Sequence, residues 1–359
     1  MTWSFVLARR AGAWARRNLF ATPFDTLLTL ACLWLLWLIV PPAVDWALVS
    51  ATWTGEGRDS CAPEGACWLF IRARLGQFIY GFYPEDQRYR VDLAALVLVI
   101  LVAPLFHAGV RHKGWVGAAA IVLYPPICLG LLAGGVVGLP FIETRAWGGL
   151  MLTMFMAVFG GLIAFPLAIL LALGRQASLP VVRVVCVTFI EFWRGVPIIT
   201  VIFLASILLP LILPQGVTVD KMLRALVGLA LVVSAYMAEV VRGGLQAMPK
   251  GQYEGAQALG LGYWKMTGLI VLPQALRIVI PGLVNEFIAL FKNTTLVLIV
   301  SLFDLLGIVQ AALSDPKWVG LTAEGYIFAG TVFWFACFAL SRYSLGLERR
   351  LARGRPTGR

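Results

Sequence analysis

Charge is scarce in this sequence: 13% of its 359 residues are Asp, Glu, Lys or Arg, against 60% hydrophobic, and the mean hydropathy is +0.87. A chain with so little polar surface cannot wrap a water-soluble globule of this length, so its composition belongs in lipid. Histidine is scarcer still. His107 and His112 are the only two, neither has a carboxylate beside it, and both read as interfacial residues rather than metal ligands. There is no Gly-x-Ser-x-Gly elbow and no cluster of histidines with carboxylates, which leaves no catalytic constellation. A phosphate-binding Gly-x4-Gly-Lys-Ser/Thr loop is also missing, and the nearest approach, Gly260 to Thr267, has the wrong spacing. Any ATP-driven process must draw on another chain.

Acidic residues number 18 against 29 basic, for a net charge of +11. The basic residues are scattered over short loops and the two ends, so they fit membrane topology better than nucleic-acid binding. Arg9, Arg10, Arg16 and Arg17 precede the first apolar run, while Arg349, Arg350, Arg353, Arg355 and Arg359 face only Glu348. Both ends are expected in the cytoplasm, which requires an even number of spans. The first run, 24–44, exceeds the ~7 to 15 apolar residues of a cleavable signal peptide. At ~20 apolar residues per span, about eight runs qualify: 24–46, 92–110, 115–137, 148–173, 184–212, 224–243, 269–300 and 326–345. The expected fold is all-α and integral to the membrane.

The first three spans form an N-terminal extension, 1–147, with an external loop at about 47–91. In that loop 68–83 mixes aromatics with Arg72 and Arg74, a pattern suited to the headgroup level. Arg58, Arg72, Arg74, Arg88 and Arg90 sit there against the positive-inside rule. Arg111, His112 and Lys113 make a tight basic turn expected in the cytoplasm, and Pro125 with Pro126 is expected to kink the third span. Cys32, Cys128, Cys186 and Cys337 lie in apolar runs as small packing residues. Cys61 and Cys67 lie in polar external sequence, where either a disulfide or two free thiols fits their spacing. The remaining five spans, 148–346, form a core followed by a basic tail, 347–359.

One polar stretch, 246–272, interrupts the core. A short helix is expected after Pro249, from Gln252 to Leu259, ended by Gly260 and Gly262. It is too polar for lipid and too short for a domain. Gly255, Ala256 and Ala258 would admit another protein close to its backbone, and Glu254 offers that partner a charge. By composition alone an ordinary connector lying on the membrane fits as well.

The run Glu254-Gly255-Ala256, then Gly260, then Leu272-Pro273, resembles the signature loop of importer permeases of the ATP-binding cassette class. In that family the loop is a coupling helix seated in a cleft of the nucleotide-binding subunit. Gly255 stands where the family has Ala, which costs a helix ~1 kcal/mol. Trp147-Gly-Gly-Leu150, Leu171-Ala-Leu-Gly-Arg175, Glu191-Phe-Trp-Arg194-Gly-Val-Pro197, Pro273-Gln-Ala-Leu-Arg277 and Lys292-Asn-Thr-Thr-Leu296 narrow the likeness to polar and general amino-acid uptake permeases. The Cys67-Trp68 and Tyr83-Pro84 elements resemble the longer, M-type permeases of general L-amino-acid systems in Gram-negative bacteria.

The resemblance implies an inner-membrane permease subunit importing L-amino acids by alternating access. It implies separate nucleotide-binding ATPase subunits carrying ATP and magnesium, a second related permease chain and a periplasmic amino-acid-binding protein. No cofactor is expected in this chain itself.

Ionisable residues at mid-bilayer cost on the order of 2.5 to 3.5 kcal/mol even on the gentler insertion scale, so those that remain should face protein or water. Asn285, Glu286 and Lys292 fall within the fourth core span, beyond Pro281, and either line a route through the membrane or pin helices together. Arg194 shapes a helix entry or touches substrate, and its spacing from Glu191 allows a pair on one helical face. Glu239 and Arg242 repeat that spacing as a brace beside the loop. The competing class is an ion-coupled secondary transporter. It would need inverted repeats, and none is evident between the halves.

Overall fold

The computed structural model describes residues 10, 12–106, 109–110, 112–136, 138–214 and 216–353. Arg9, His107, Arg111, Arg355 and Arg359 lie outside the described residues. Among those described, regular structure is helical apart from three isolated bridges. In hydrocarbon a helix satisfies its backbone polar groups within one segment. The helices are α1 (Pro23–Val44), α2 (Leu69–Tyr80), α3 (Tyr89–Phe106), α4 (Lys113–Ala133), α5 (Gly149–Arg175), α6 (Pro180–Gly195), α7 (Ile198–Ile212), α8 (Lys221–Gln246), α9 (Lys250–Ala258), α10 (Tyr263–Val300), α11 (Leu305–Leu313) and α12 (Thr322–Arg353).

Six of these are long and apolar enough to cross a bilayer, namely α1, α4, α5, α8, α10 and α12. The pair α6 and α7 makes a seventh when taken as one span. The expected count of eight also included α3, which has 18 residues with Arg90 and Asp92 near its start. Its described part, at 1.5 Å per residue, covers about 27 Å of a ~30 Å hydrocarbon core and ends where residues 107–108 lie outside the described residues. The expected span 184–212 is broken, its halves bent by 102°. Val196 precedes Pro197 and takes the extended conformation (φ −96°, ψ 130°) that a following proline favours.

Two compact units are present, Met1–Ala73 with Pro316–Glu324, and Arg74–Asp315 with Gly325–Arg359. In the first, a capping box at Thr22 and Asp25 starts α1, and no residue of that helix is buried. The rings of Trp46 and Trp53 lie 6.3 and 5.9 Å from Trp68. Glu324 accepts a hydrogen bond from the Cys67 amide at 2.9 Å. Cys61 and Cys67 have their sulfurs in bonding contact and their Cα atoms 5.5 Å apart.

The second unit is built around α8, the most buried of the spans, which packs against α5, α6, α7 and α10. Leu152, Met156, Ile190, Leu226, Leu229 and Leu290 fill this core. Gly244 brings α8 against α10, where a Cβ would meet the Ala275 carbonyl at 2.7 Å. Three of the basic residues that break the positive-inside pattern are used in packing. Arg90 is fully buried, donating to the Leu131 and Pro140 carbonyls at 2.5 and 3.1 Å, Arg88 pairs with Glu85 at 3.1 Å, and Arg74 pairs with Asp315. Near the last carbonyls of α4 a guanidinium is also favoured by the helix dipole.

Asp304 caps α11 by accepting from the Gly307 amide at 2.9 Å, and it is fully buried. Burial pushes its carboxyl up to about 6. Because this folded value lies above the ordinary 3.8, its contribution to stability is complete below 3.8 and is lost as pH rises through about 6. Asp304→Asn keeps a capping oxygen and removes the buried charge. In thermal unfolding the variant should be more stable than the parent at pH 7.5, by on the order of 2 kcal/mol, and the difference should close as pH falls below 3.8.

Candidate functional site

The polar stretch forms a short, self-contained helix. α9 starts after Pro249, two residues ahead of the expected Gln252, because Pro at the N-cap loses no helical hydrogen bond there. It ends in a Schellman motif, with the Leu261 amide donating to the Ala256 carbonyl at 3.1 Å and the Gly260 amide to the Gln257 carbonyl at 2.9 Å. Gly260 takes the left-handed φ of +70° that this motif needs. Gly260→Val should loosen the loop by about 1 to 2 kcal/mol, seen as faster limited proteolysis between residues 250 and 265 with the remaining spans unaffected.

One side of α9 is anchored. Ala256 is buried in a cluster with Val241 and Leu245 from the end of α8, Met248 from the turn after it, and Met266, Val271 and Ala275 of α10. The Tyr253 hydroxyl donates to the Leu245 carbonyl at 3.3 Å, and Gln274 donates to Gln252 at 2.9 Å. Glu254, Gly255 and Gly260 are exposed, and a side chain at Gly255 would meet open space. Leu272 and Pro273 follow a π-helical turn, Thr267–Val271. Pro273 has no amide to donate, and a π turn absorbs the carbonyl left over.

Behind these anchors lies an ion network. Glu239 uses one oxygen to accept from Arg175 at 2.7 Å and the other to accept from Arg242 at 2.8 Å. The expected Glu239 and Arg242 pair is in place, but Arg175, from the end of α5, joins it. Arg175 also holds Glu191 of α6 at 2.9 Å. Glu191 is therefore not paired with Arg194 as its spacing allowed. Arg194 instead lies over the Tyr236 ring, 5.6 Å from its centroid.

One turn deeper is a cavity of about 390 Å³. Arg194 and Glu286 put opposite charges on its wall, Tyr236 and Asn293 add polar groups, and Val232, Val233, Ile198 and Leu290 supply apolar surface. Of the residues expected on a route through the membrane, Glu286 and Arg194 line this space. Asn285 and Lys292 do not, and both are exposed on another face of α10. The lining positions 286, 289, 290 and 293 follow the i, i+3, i+4, i+7 pattern of one helical face. That periodicity could have selected Asn293 in place of Lys292. Tyr236 carried no comparable signal. Among the described residues no group of three or more His, Cys, Asp or Glu is arranged to hold a metal ion.

Residues 164–353 match the family model described as binding-protein-dependent transport system inner membrane component. The inner membrane amino-acid ABC transporter permease protein YhdY of Escherichia coli (strain K12) is 54% identical, over 96% of this chain and 94% of that protein. The chain belongs to this permease family. A second relative is the glutamate/glutamine/aspartate/asparagine transport system permease protein BztC of Rhodobacter capsulatus, 38% identical over 95% of this permease and 93% of that one. A crystal structure of an amino acid ABC transporter with histidines is 26% identical over 56% of the permease and 92% of that chain, with a TM-score of 0.49. None of these relatives supports the ion-coupled alternative.

Proposed function

We propose that this permease is the transmembrane subunit of an ATP-driven importer of L-amino acids. Separate nucleotide-binding subunits hold ATP and magnesium, a periplasmic binding protein delivers the substrate, and a second, related permease chain completes the membrane unit. The C-terminus lies in the cytoplasm with α9, which docks on the ATPase through the exposed Glu254 and Gly255; the N-terminus joins it there with α3 crossing as the eighth span, since seven spans would leave the two ends on opposite sides. The observation that carries this is the continuity from α9 to the cavity. The docking helix is rooted in α8 and α10, and those two helices supply Val232, Val233, Tyr236, Glu286 and Asn293 to the cavity wall. A displacement of α9 therefore moves the wall. The cavity also suits a zwitterion, with Arg194 facing the carboxylate and Glu286 the ammonium group.

Reconstitution in proteoliposomes with the ATPase and binding-protein partners tests this proposal. Uptake should require ATP and survive collapse of the proton gradient; uptake that follows the gradient with ATP maintained would overturn it. Glu239→Gln tests the path between loop and cavity. Losing the charge that Arg175 and Arg242 share should lower uptake per ATP hydrolysed by about three- to tenfold, a loss of roughly 0.6 to 1.4 kcal/mol. An unchanged ratio would remove Glu239 from the path.

A further inference from the structure

Arg175 offers a single nitrogen, Nη1, to carboxylates from two different helices, Glu191 of α6 and Glu239 of α8. The two arms are unequal. Glu239 is 17% exposed and has both oxygens held, whereas Glu191 is 54% exposed and has Arg175 as its ion-pair partner. A pair that open to solvent shifts an equilibrium by about fivefold at most, so the α6 arm can release while the α8 arm stays closed.

Release would be felt at the cavity. Glu191 lies one helical turn before Arg194, and the chain bends by 102° between α6 and α7, across Gly195, Val196 and Pro197. Arg194 and the whole of that bend line the cavity. The seam beside the latch is close, since a Cβ on Gly174 would fall 2.3 Å from the Cys186 sulfur of α6.

We infer that Arg175 and Glu191 are positioning residues, a releasable latch that holds the end of α6 on α5 and so sets where Arg194 stands in the cavity during the transport cycle. This rests on the proposed coupling to an ATPase. The latch closes when Arg175 bridges both carboxylates. When α9 shifts the end of α8, Glu239 carries Arg175 with it, and the weaker Glu191 arm parts first.

Cys186 is a native reporter of this seam, because it is half-buried and its sulfur lies against Gly174, so parting of α6 from α5 exposes it further. The assembled complex is treated with N-ethylmaleimide, nucleotide-free and vanadate-trapped, and modification of Cys186 is read by peptide mass spectrometry. Cys128, fully buried elsewhere in the core, serves as the internal control. In the unmodified complex the Cys186 rate should differ between the two states by about fivefold. In Glu191→Gln it should take the faster value in both, with Cys128 unchanged.

A Cys186 rate that Glu191→Gln leaves unchanged, or that it raises by the same factor in both states, would overturn the latch, the second result being that of a merely structural ion pair. Equal rates in the two states of the unmodified complex would instead sink the coupling on which the latch rests. The two failures are thereby distinguishable.

Discussion

Glu254→Arg should reduce ATP-driven uptake at least tenfold while the protein inserts and assembles normally. Glu254 is exposed on a helix whose opposite side is already anchored by Ala256 and Tyr253, so its replacement disturbs no core contact. What changes is the charge presented to a docking partner. Reversal turns an attraction into a repulsion at a protein contact, where a like-charge juxtaposition costs several kcal/mol. Uptake and ATP hydrolysis measured on the same proteoliposomes separate the effects. Hydrolysis should persist in the ATPase subunits and cease to respond to amino acid. Normal uptake by this variant would remove α9 as the point where work enters.

The second large effect is expected in the cavity. Glu286→Gln removes the negative wall charge opposite Arg194 and keeps the side-chain volume. A hydrogen bond to a charged group contributes about 1.5 to 3 kcal/mol, so uptake should fall about ten- to a hundredfold. Asn285→Ala, one residue away, should change uptake less than twofold, because Asn285 is exposed on a different face of α10. Equal losses in the two variants would mean that the cavity is not the route.

The contrast between Asn285 and Glu286 also shows what the sequence could and could not reveal. One residue is 100° of helix rotation, and a span holding both Pro281 and a π turn does not keep a single phase from end to end. Polarity therefore marked the turn of α10 that reaches the cavity but not the face that lines it. The short helix α9 was legible almost to the residue because its signals are local: Pro249 to start, Gly260 to stop, and Glu254 too polar for lipid. Arg175 was not legible as a bridge. Its two partners lie 16 and 64 residues away on other helices, and no short-range pattern relates them. The same limit explains Glu191. Spacing of three from Arg194 permits a pair, while the packing of α5 against α6 supplies a better-placed guanidinium. Among the described residues six helices, or seven with the bent pair as one, meet the length and hydropathy of a span, because apolar length in sequence ignores where Val196 and Pro197 break the run.

The most direct test of the central claim, that this chain receives work through α9, is a cross-link at Gly255. A side chain there meets open space in this chain, so Gly255→Cys should leave its folding intact, and uptake before cross-linking serves as the reference. In the reconstituted complex, a short bifunctional thiol reagent should join this position to the nucleotide-binding subunit and abolish uptake, with activity returning once a cleavable linker is reduced. If full uptake continues after efficient modification of Cys at position 255, and no cross-link to the ATPase forms, the account is contradicted.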